Sequence, residues 1–185
     1  MPHSLSALLV MDVQPGIVSR LADPQEYVER LRIVMDAARN AGVAVIQVVV
    51  GFRAGAPEVS PNNKAFSAIA SAPAGMIEPQ PVIEPQPGDV VVTKRRVSAF
   101  AGSDLEIVLR SKGVTHLVLA GISTSGVVLS TTREAADKDY RLTILKDLCY
   151  DMDPEVHRVL TEKIFPRQAE VIASDEWRGT AGVPR

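Results

Sequence analysis

Three apolar runs in this 185-residue chain end in side chains able to hold or move charge. Leu8-Leu9-Val10-Met11 runs into Asp12, Asp89–Thr93 (DVVVT) delivers Lys94, and Leu117-Val118-Leu119-Ala120 breaks at Gly121 before Ser123, Thr124 and Ser125. A carboxylate and an ammonium in a partly buried cleft keep each other charged and make an acid–base pair. A strand–turn–helix beginning at Gly121 gathers backbone N–H groups around a small concavity, which suits a developing negative charge. Each piece also has a structural reading. Asp12, followed by Gln14-Pro15-Gly16, is equally a turn-former bonded to nearby backbone, and Asp–Lys pairs at sheet edges often serve only to hold the sheet. The residues alone leave both readings open.

The elements that must position these residues follow from hydrophobic periodicity. Buried strands are predicted at Ser6–Val13, Ala44–Val50, Asp89–Thr93, His116–Ala120, Leu142–Leu145 (running into Lys146-Asp147) and Glu170–Ala173. Asp23 as N-cap, Pro24 in the first helical position and Glu26 in the first turn open a helix. Its apolar face is Val28, Leu31, Ile33, Val34 and Ala38, and Gly42 stops it. Further helices are expected at Lys64–Ala72, from Ser103 (with Glu106 as its capping box) to Gly113, from the Gly121 turn to near Asp137, and at Pro154–Phe165. Gly51–Asn63 is a loop carrying Arg53 and Glu58. Pro73–Gly88 holds five of the 13 prolines and reads as an irregular surface excursion.

Strands alternating with helices predict an α/β fold: a three-layer, doubly wound sandwich around a mainly parallel six-stranded sheet, one domain over residues 1–185. Ligands in such sheets bind beyond the carboxyl ends of the strands, where the strand order reverses. That edge is expected to carry Asp12, Lys94, the Gly121 turn and Asp147.

Composition bounds the function. A hydrophobic fraction of 46% with 4% aromatics fits a core of Val, Leu, Ile and Ala. A net charge of −2 gives no footing for nucleic acid or an anionic membrane surface. No apolar span is long enough to cross a bilayer, and Met1-Pro2-His3-Ser4 lacks the basic segment of a secretory signal. The single cysteine, Cys149, excludes an internal disulfide and fits a reducing compartment, so a cytoplasmic location is expected. Neither GxGxxG nor GxxxxGK[ST] occurs, which disfavours a nucleotide-binding domain. A small-molecule substrate is expected.

The stretch Gly121-Ile122-Ser123-Thr124-Ser125-Gly126-Val127-Val128-Leu129-Ser130-Thr131 resembles the nucleophile loop of the isochorismatase-like (cysteine) hydrolases, Gly-x-(Ala/Ser)-Thr-x-x-Cys-Val-x-x-Thr. Leu8–Gln14, Val92-Thr93-Lys94 with Ser98-Ala99-Phe100, and Lys146-Asp147-Leu148-Cys149 with His157 follow in the family's order. The resemblance implies that family's Rossmann-like fold, with Asp12 as acid/base aspartate and Lys94 as its lysine. It places the nucleophile at Val127, a non-proline cis peptide at Ile122–Ser123, and an oxyanion-binding turn involving Ile122, Ser123 and Val127. A thiolate would attack an amide carbonyl to give an acyl-enzyme, and Val127 has no such group. Isochorismatases of this superfamily also lack the cysteine and use the aspartate as proton donor to a vinyl ether, usually with glycine where Val127 stands. Two readings follow: a cysteine-independent hydrolase of a vinyl-ether or amide/C–N substrate, or an inactive relative that binds a small carbonyl or carboxylate compound. Gln14, Phe100 and Arg53 are candidate substrate contacts. Cys149 reads as a buried structural thiol. No cofactor is implied, no compact Asp/His set for zinc stands near Arg53 or Asn62, and a dimer or tetramer is expected.

Overall fold

Continuous apolar runs form strands covered on both faces. In the computed structural model, which describes residues 5–70 and 79–178, six strands make one parallel sheet. They are β1 (Leu5–Met11), β2 (Ala44–Val50), β3 (Val90–Lys94), β4 (Val114–Ile122), β5 (Arg141–Tyr150) and β6 (Glu170–Ile172), in the order β3-β2-β1-β4-β5-β6. The order reverses at β1, which puts the switch point between the carboxyl ends of β1 and β4. The helices are α1 (Pro15–Val18), α2 (Pro24–Asn40), α3 (Lys64–Ala70), α4 (Leu105–Ser111), α5 (Leu129–Asp137), α6 (Pro154–Val159) and α7 (Ser174–Arg178).

Alternation along β1 builds two cores. Leu9 and Met11 join one apolar cluster with Leu109 of α4 and Ala135 of α5. Leu8 and Val10 join the other with Leu31, Val34 and Met35 of α2 and Trp177 of α7. Leu8, Leu9 and Met11 are each 0% exposed, and burying such a side chain contributes roughly 1.5–3 kcal/mol. Helices therefore cover both sheet faces, as the alternating pattern requires.

The structure departs from the sequence expectations in several places. In α2 the buried face is Tyr27, Leu31, Val34, Met35 and Ala38, while Ile33 is 43% exposed. Ile33 lies two residues after Leu31, about 200° around a helix of 3.6 residues per turn. The Ser103–Glu106 capping box does not form. Ser103 Oγ donates to the carbonyls of Ala99 (2.6 Å) and Phe100 (3.2 Å) and accepts the Leu105 N–H, and Glu106 is drawn to Arg110 and Lys138. The last helix of the Pro154–Phe165 stretch gives way at Leu160 to a π-helical turn, Leu160–Ile164, and a 3-10 turn, Phe165–Arg167.

β5 runs on to Tyr150, so Asp147 lies within the strand rather than at its end. Its carboxylate accepts the N–H and Oγ–H of Ser174, both at 2.7 Å, and pairs with Arg30. Asp147 ties β5 to α7 and α2. Residues 1–4, the expected helical positions 71 and 72, and residues 73–78 of the proline-rich excursion lie outside the described residues. Residues 79–88 return to the sheet: Val82 N–H donates to Val13 O (2.9 Å), Gln47 Nε2 donates to Ile83 O (3.1 Å), and Ile83 is 5% exposed. Among the described residues no helix is long and apolar enough to cross a membrane.

Candidate active site

β1 releases Asp12 with a left-handed φ of 57° while its N–H still bonds Val48 O of β2 at 2.8 Å. Aspartate tolerates this conformation better than most residues. The β1–β4 register sets Met11 opposite Gly121, so Asp12 and Ile122 leave the sheet side by side. That approach needs a glycine: a Cβ on Gly121 would lie 2.4 Å from Met11 O.

β3 ends in Lys94, whose side chain is 2% exposed. Its ammonium reaches across the end of β2 and lies 2.9 Å from Asp12 Oδ2. It also donates to the carbonyls of Arg96 (2.9 Å) and Val97 (3.0 Å), so all three N–H groups of the ammonium are engaged. Asp12 Oδ1 is buried without a hydrogen-bond partner. Burial raises the Asp12 carboxyl and the Lys94 ammonium only partly offsets this, leaving its pKa at about 6. The pair thus consists of a pinned cation and a carboxyl that exchanges its proton near neutrality through a bare oxygen.

The Ile122–Ser123 peptide is cis. It leads into a π-helical turn, Thr124–Val128, that continues into α5, with the N–H groups of Gly126 and Val128 on Ser123 O (3.2 Å each). Val127 in this turn is 2% exposed and part of the apolar cluster on the α4–α5 face. Cys149 lies opposite Gly121 in the β4–β5 register. Burial pushes its thiol up to about 12, so it holds no thiolate at neutral pH.

The remaining sequence candidates have structural partners of their own. Gln14 is 1% exposed, and its amide clamps Val50 of β2, donating to Val50 O (3.0 Å) and accepting Val50 N–H (2.7 Å). Phe100 packs on Tyr140, ring centroids 6.1 Å apart, with the Lys138 ammonium over its ring. Arg53 is largely exposed and pairs with Glu58, which also meets Arg95 (3.1 Å) and accepts Arg96 Nη2 on its carbonyl (2.8 Å). Those contacts tie the Gly51–Asn63 loop to the segment after Lys94. Among the described residues no group of three His, Cys, Asp or Glu side chains gathers for a metal ion.

Sequence reasoning missed one group beside the turn. His157 of α6 meets the Thr124 hydroxyl (2.8 Å), and Asp151 accepts the Ser125 N–H (2.7 Å). More than twenty residues separate these partners along the chain, so only the packing of the β5–α6 connection against the turn brings them together.

Comparison with known proteins agrees with this fold. The Isochorismatase domain model matches residues 6–176. An uncharacterized isochorismatase family protein of Bacillus subtilis is 33% identical over 174 residues, covering 93% of this chain and 92% of that protein. A ureidoacrylate amidohydrolase of Stutzerimonas stutzeri is 31% identical over 182 residues, covering 84% of this chain and 73% of the relative. The crystal structure of an isochorismatase family protein from Burkholderia thailandensis superposes with a TM-score of 0.78 at 27% identity, covering 97% of this chain and 98% of that one.

Proposed function

The chain belongs to the isochorismatase family, and from that premise we propose that it hydrolyses a small molecule by proton transfer through Asp12, without a thiol nucleophile. One observation carries this reading. Asp12 offers an unpaired, buried oxygen at the switch point while its other oxygen is held by Lys94. With a pKa of about 6, an appreciable share of Asp12 is protonated in mildly acidic to neutral solution, as a proton donor needs. Lys94 orients the carboxyl and stabilises its charged form. With its N–H groups engaged, it is a fixed cation rather than a second proton shuttle.

Val127 supplies no nucleophile, and the Cys149 thiol is held protonated, so water provides the attacking oxygen. The N–H groups at Ser123 and Val127, in the turn that the resemblance marks as oxyanion-binding, are the donors proposed for negative charge developing on an amide carbonyl, since those of Ser125 and Gly126 are taken by Asp151 and Ser123 O. Substrate class follows from what such a donor can protonate: the alkene carbon of a vinyl ether, giving an oxocarbenium that water then attacks, or the leaving nitrogen of an amide or ureido acid. The amidohydrolase name carried by one relative favours including the latter.

A second reading has one observation behind it. Val127 fills, with a buried apolar side chain, the position that the family pattern gives to the nucleophile, and a cleft so altered would bind a small carbonyl or carboxylate compound without turnover. Steady-state assays on isochorismate, nicotinamide, ureidoacrylate and simple amides separate the two. Turnover that is lost in Asp12→Asn supports the hydrolase; saturable binding of panel compounds without turnover supports the binder.

A further inference from the structure

Thr124 directly follows the cis Ile122–Ser123 unit, and its hydroxyl is 0% exposed. That burial rules it out as a nucleophile, because no substrate can reach it. The hydroxyl instead meets Nδ1 of His157 at 2.8 Å. The next N–H along the turn, from Ser125, goes to Asp151 Oδ2 at 2.7 Å. Asp151 also receives the N–H of Asp153, and Asp153 caps α6 through the N–H groups of Glu155 and Val156. Two successive residues of the turn are thus fastened to one imidazole and one carboxylate of the β5–α6 connection.

Building on the acid–base reading above, we propose that His157 is a positioning residue for the proposed reaction: by accepting the Thr124 hydroxyl at Nδ1 it fixes the Ser123–Val127 turn, and its protonation loosens that turn. A neutral imidazole with a bare Nδ1 takes the hydroxyl proton, and the hydrogen then sits on Nε2. Protonation makes Nδ1 a donor as well. Thr124 must then turn its own proton toward fully buried surroundings, where an unpaired donor is costly.

The charges around the ring decide which state prevails. Asp151, from the β5–α6 connection, favours the imidazolium. His157 also lines a cavity of about 470 Å³ together with Lys146 of β5, Arg158 of α6, and Thr161 and Glu162 of the following turn. Arg158 is itself paired with Glu155 and Glu162. Burial outweighs Asp151 and holds His157 below its ordinary value. At neutral pH the ring is therefore uncharged and able to accept the hydroxyl at Nδ1, and the proposed release of the turn falls on the acid side.

Two measurements test this. Nitrogen chemical shifts of His157 in the full-length protein give its tautomer and titration in wild type and Thr124→Val. The proposal expects the Nε2–H tautomer at pH 7 and a midpoint below 6.5, with both preferences weakened in Thr124→Val. Kinetics on a panel substrate give the second test. His157→Phe should lower kcat at least tenfold with KM within threefold of wild type. His157→Asn, whose Oδ1 can accept the same hydroxyl and cannot titrate, should keep kcat within threefold and lose the acid limb. An Nδ1–H tautomer at pH 7, or unchanged kcat in His157→Phe across pH, would overturn the proposal. Absence of wild-type turnover counts against the acid–base reading, and the tautomer measurement then decides the role of His157 by itself.

Discussion

Lys94 Nζ lies 2.9 Å from Asp12 Oδ2 and gives its other N–H groups to the carbonyls of Arg96 and Val97, so the segment that follows Lys94 holds its ammonium against a single carboxyl. Two strand ends separated by β2 are thereby joined at the switch point, and Oδ1 of Asp12 is left buried without a hydrogen-bond partner.

Asp12 as proton donor fixes the sign of the pH dependence. Its folded pKa of about 6 predicts kcat falling about tenfold per unit above 6, with the acid side limited only by the His157-dependent release of the turn. Asp12→Asn should cost at least about 100-fold in kcat at every pH. A rate that rises through pH 6 in His157→Asn, which lacks that acid limb, would assign the base role to Asp12 instead.

Removing the lysine removes the interaction that lowers the Asp12 pKa. Lys94→Met should therefore shift the descending limb to higher pH and leave a buried carboxyl without its partner. Breaking a buried pair on one side costs about 3–5 kcal/mol, which urea unfolding at pH 7 can measure. Lys94→Arg should not restore activity, because a planar guanidinium cannot reproduce three donors converging from one nitrogen.

Gly121→Ala brings a methyl group to within 2.4 Å of Met11 O and 2.9 Å of Met11 Cβ, at the point where β1 and β4 deliver the site. Overpacking against backbone costs about 1–3 kcal/mol. Gly42→Ala, where φ is +72° and nothing lies within 4 Å, should cost only about 1 kcal/mol. Thermal unfolding of the two variants should rank them in that order, with catalysis impaired in Gly121→Ala alone.

Much of this was legible in the sequence because it is local. Leu8–Met11 and Ala44–Val50 are uninterrupted apolar runs bounded by breakers, and Asp23-Pro24 states a helix start outright, so six strands with Asp12 and Lys94 on one carboxyl edge follow from the pattern, while the strand order comes from the structure. What was illegible depends on distant partners. Asp147 reads as a strand-end acid until β5 is seen to continue past it to bind Ser174. Glu106 matches a capping box, yet Lys138 and Arg110 claim its carboxylate. Gln14, beside Asp12, has its amide on the backbone of Val50, a pairing that no local pattern announces. His157 belongs to the family resemblance, but nothing local pairs it with Thr124, 33 residues earlier in the chain.

His116 predicts a pH dependence of stability. Arg141 can only donate, so the Arg141 Nη2 contact with Nδ1 (3.1 Å) makes that nitrogen an acceptor and places the hydrogen on Nε2, which faces Thr143 Oγ1 (2.9 Å). Burial, with Arg141 adding to it, lowers the folded pKa from 6.5 to about 4. Between those values the unfolded chain binds a proton that the folded chain does not, so this contribution is complete above pH 6.5 and is lost as pH falls toward 4. It amounts to about 3 kcal/mol. Asp12, raised in the fold, acts in the opposite sense over part of this window. The test is therefore the difference between wild type and His116→Gln, which should shrink from pH 7 to pH 4.5 in urea unfolding.

The most direct test of cysteine-free chemistry replaces Val127. Cysteine is smaller than valine and fits the same 2%-exposed position, so Val127→Cys should fold and can be assayed beside wild type on isochorismate, nicotinamide, ureidoacrylate and simple amides. The account predicts that wild type turns over at least one of these, with the falling limb near pH 6 and insensitivity to thiol alkylation. Silence of wild type across the panel, with amide hydrolysis appearing only in Val127→Cys and abolished by alkylation, would contradict it.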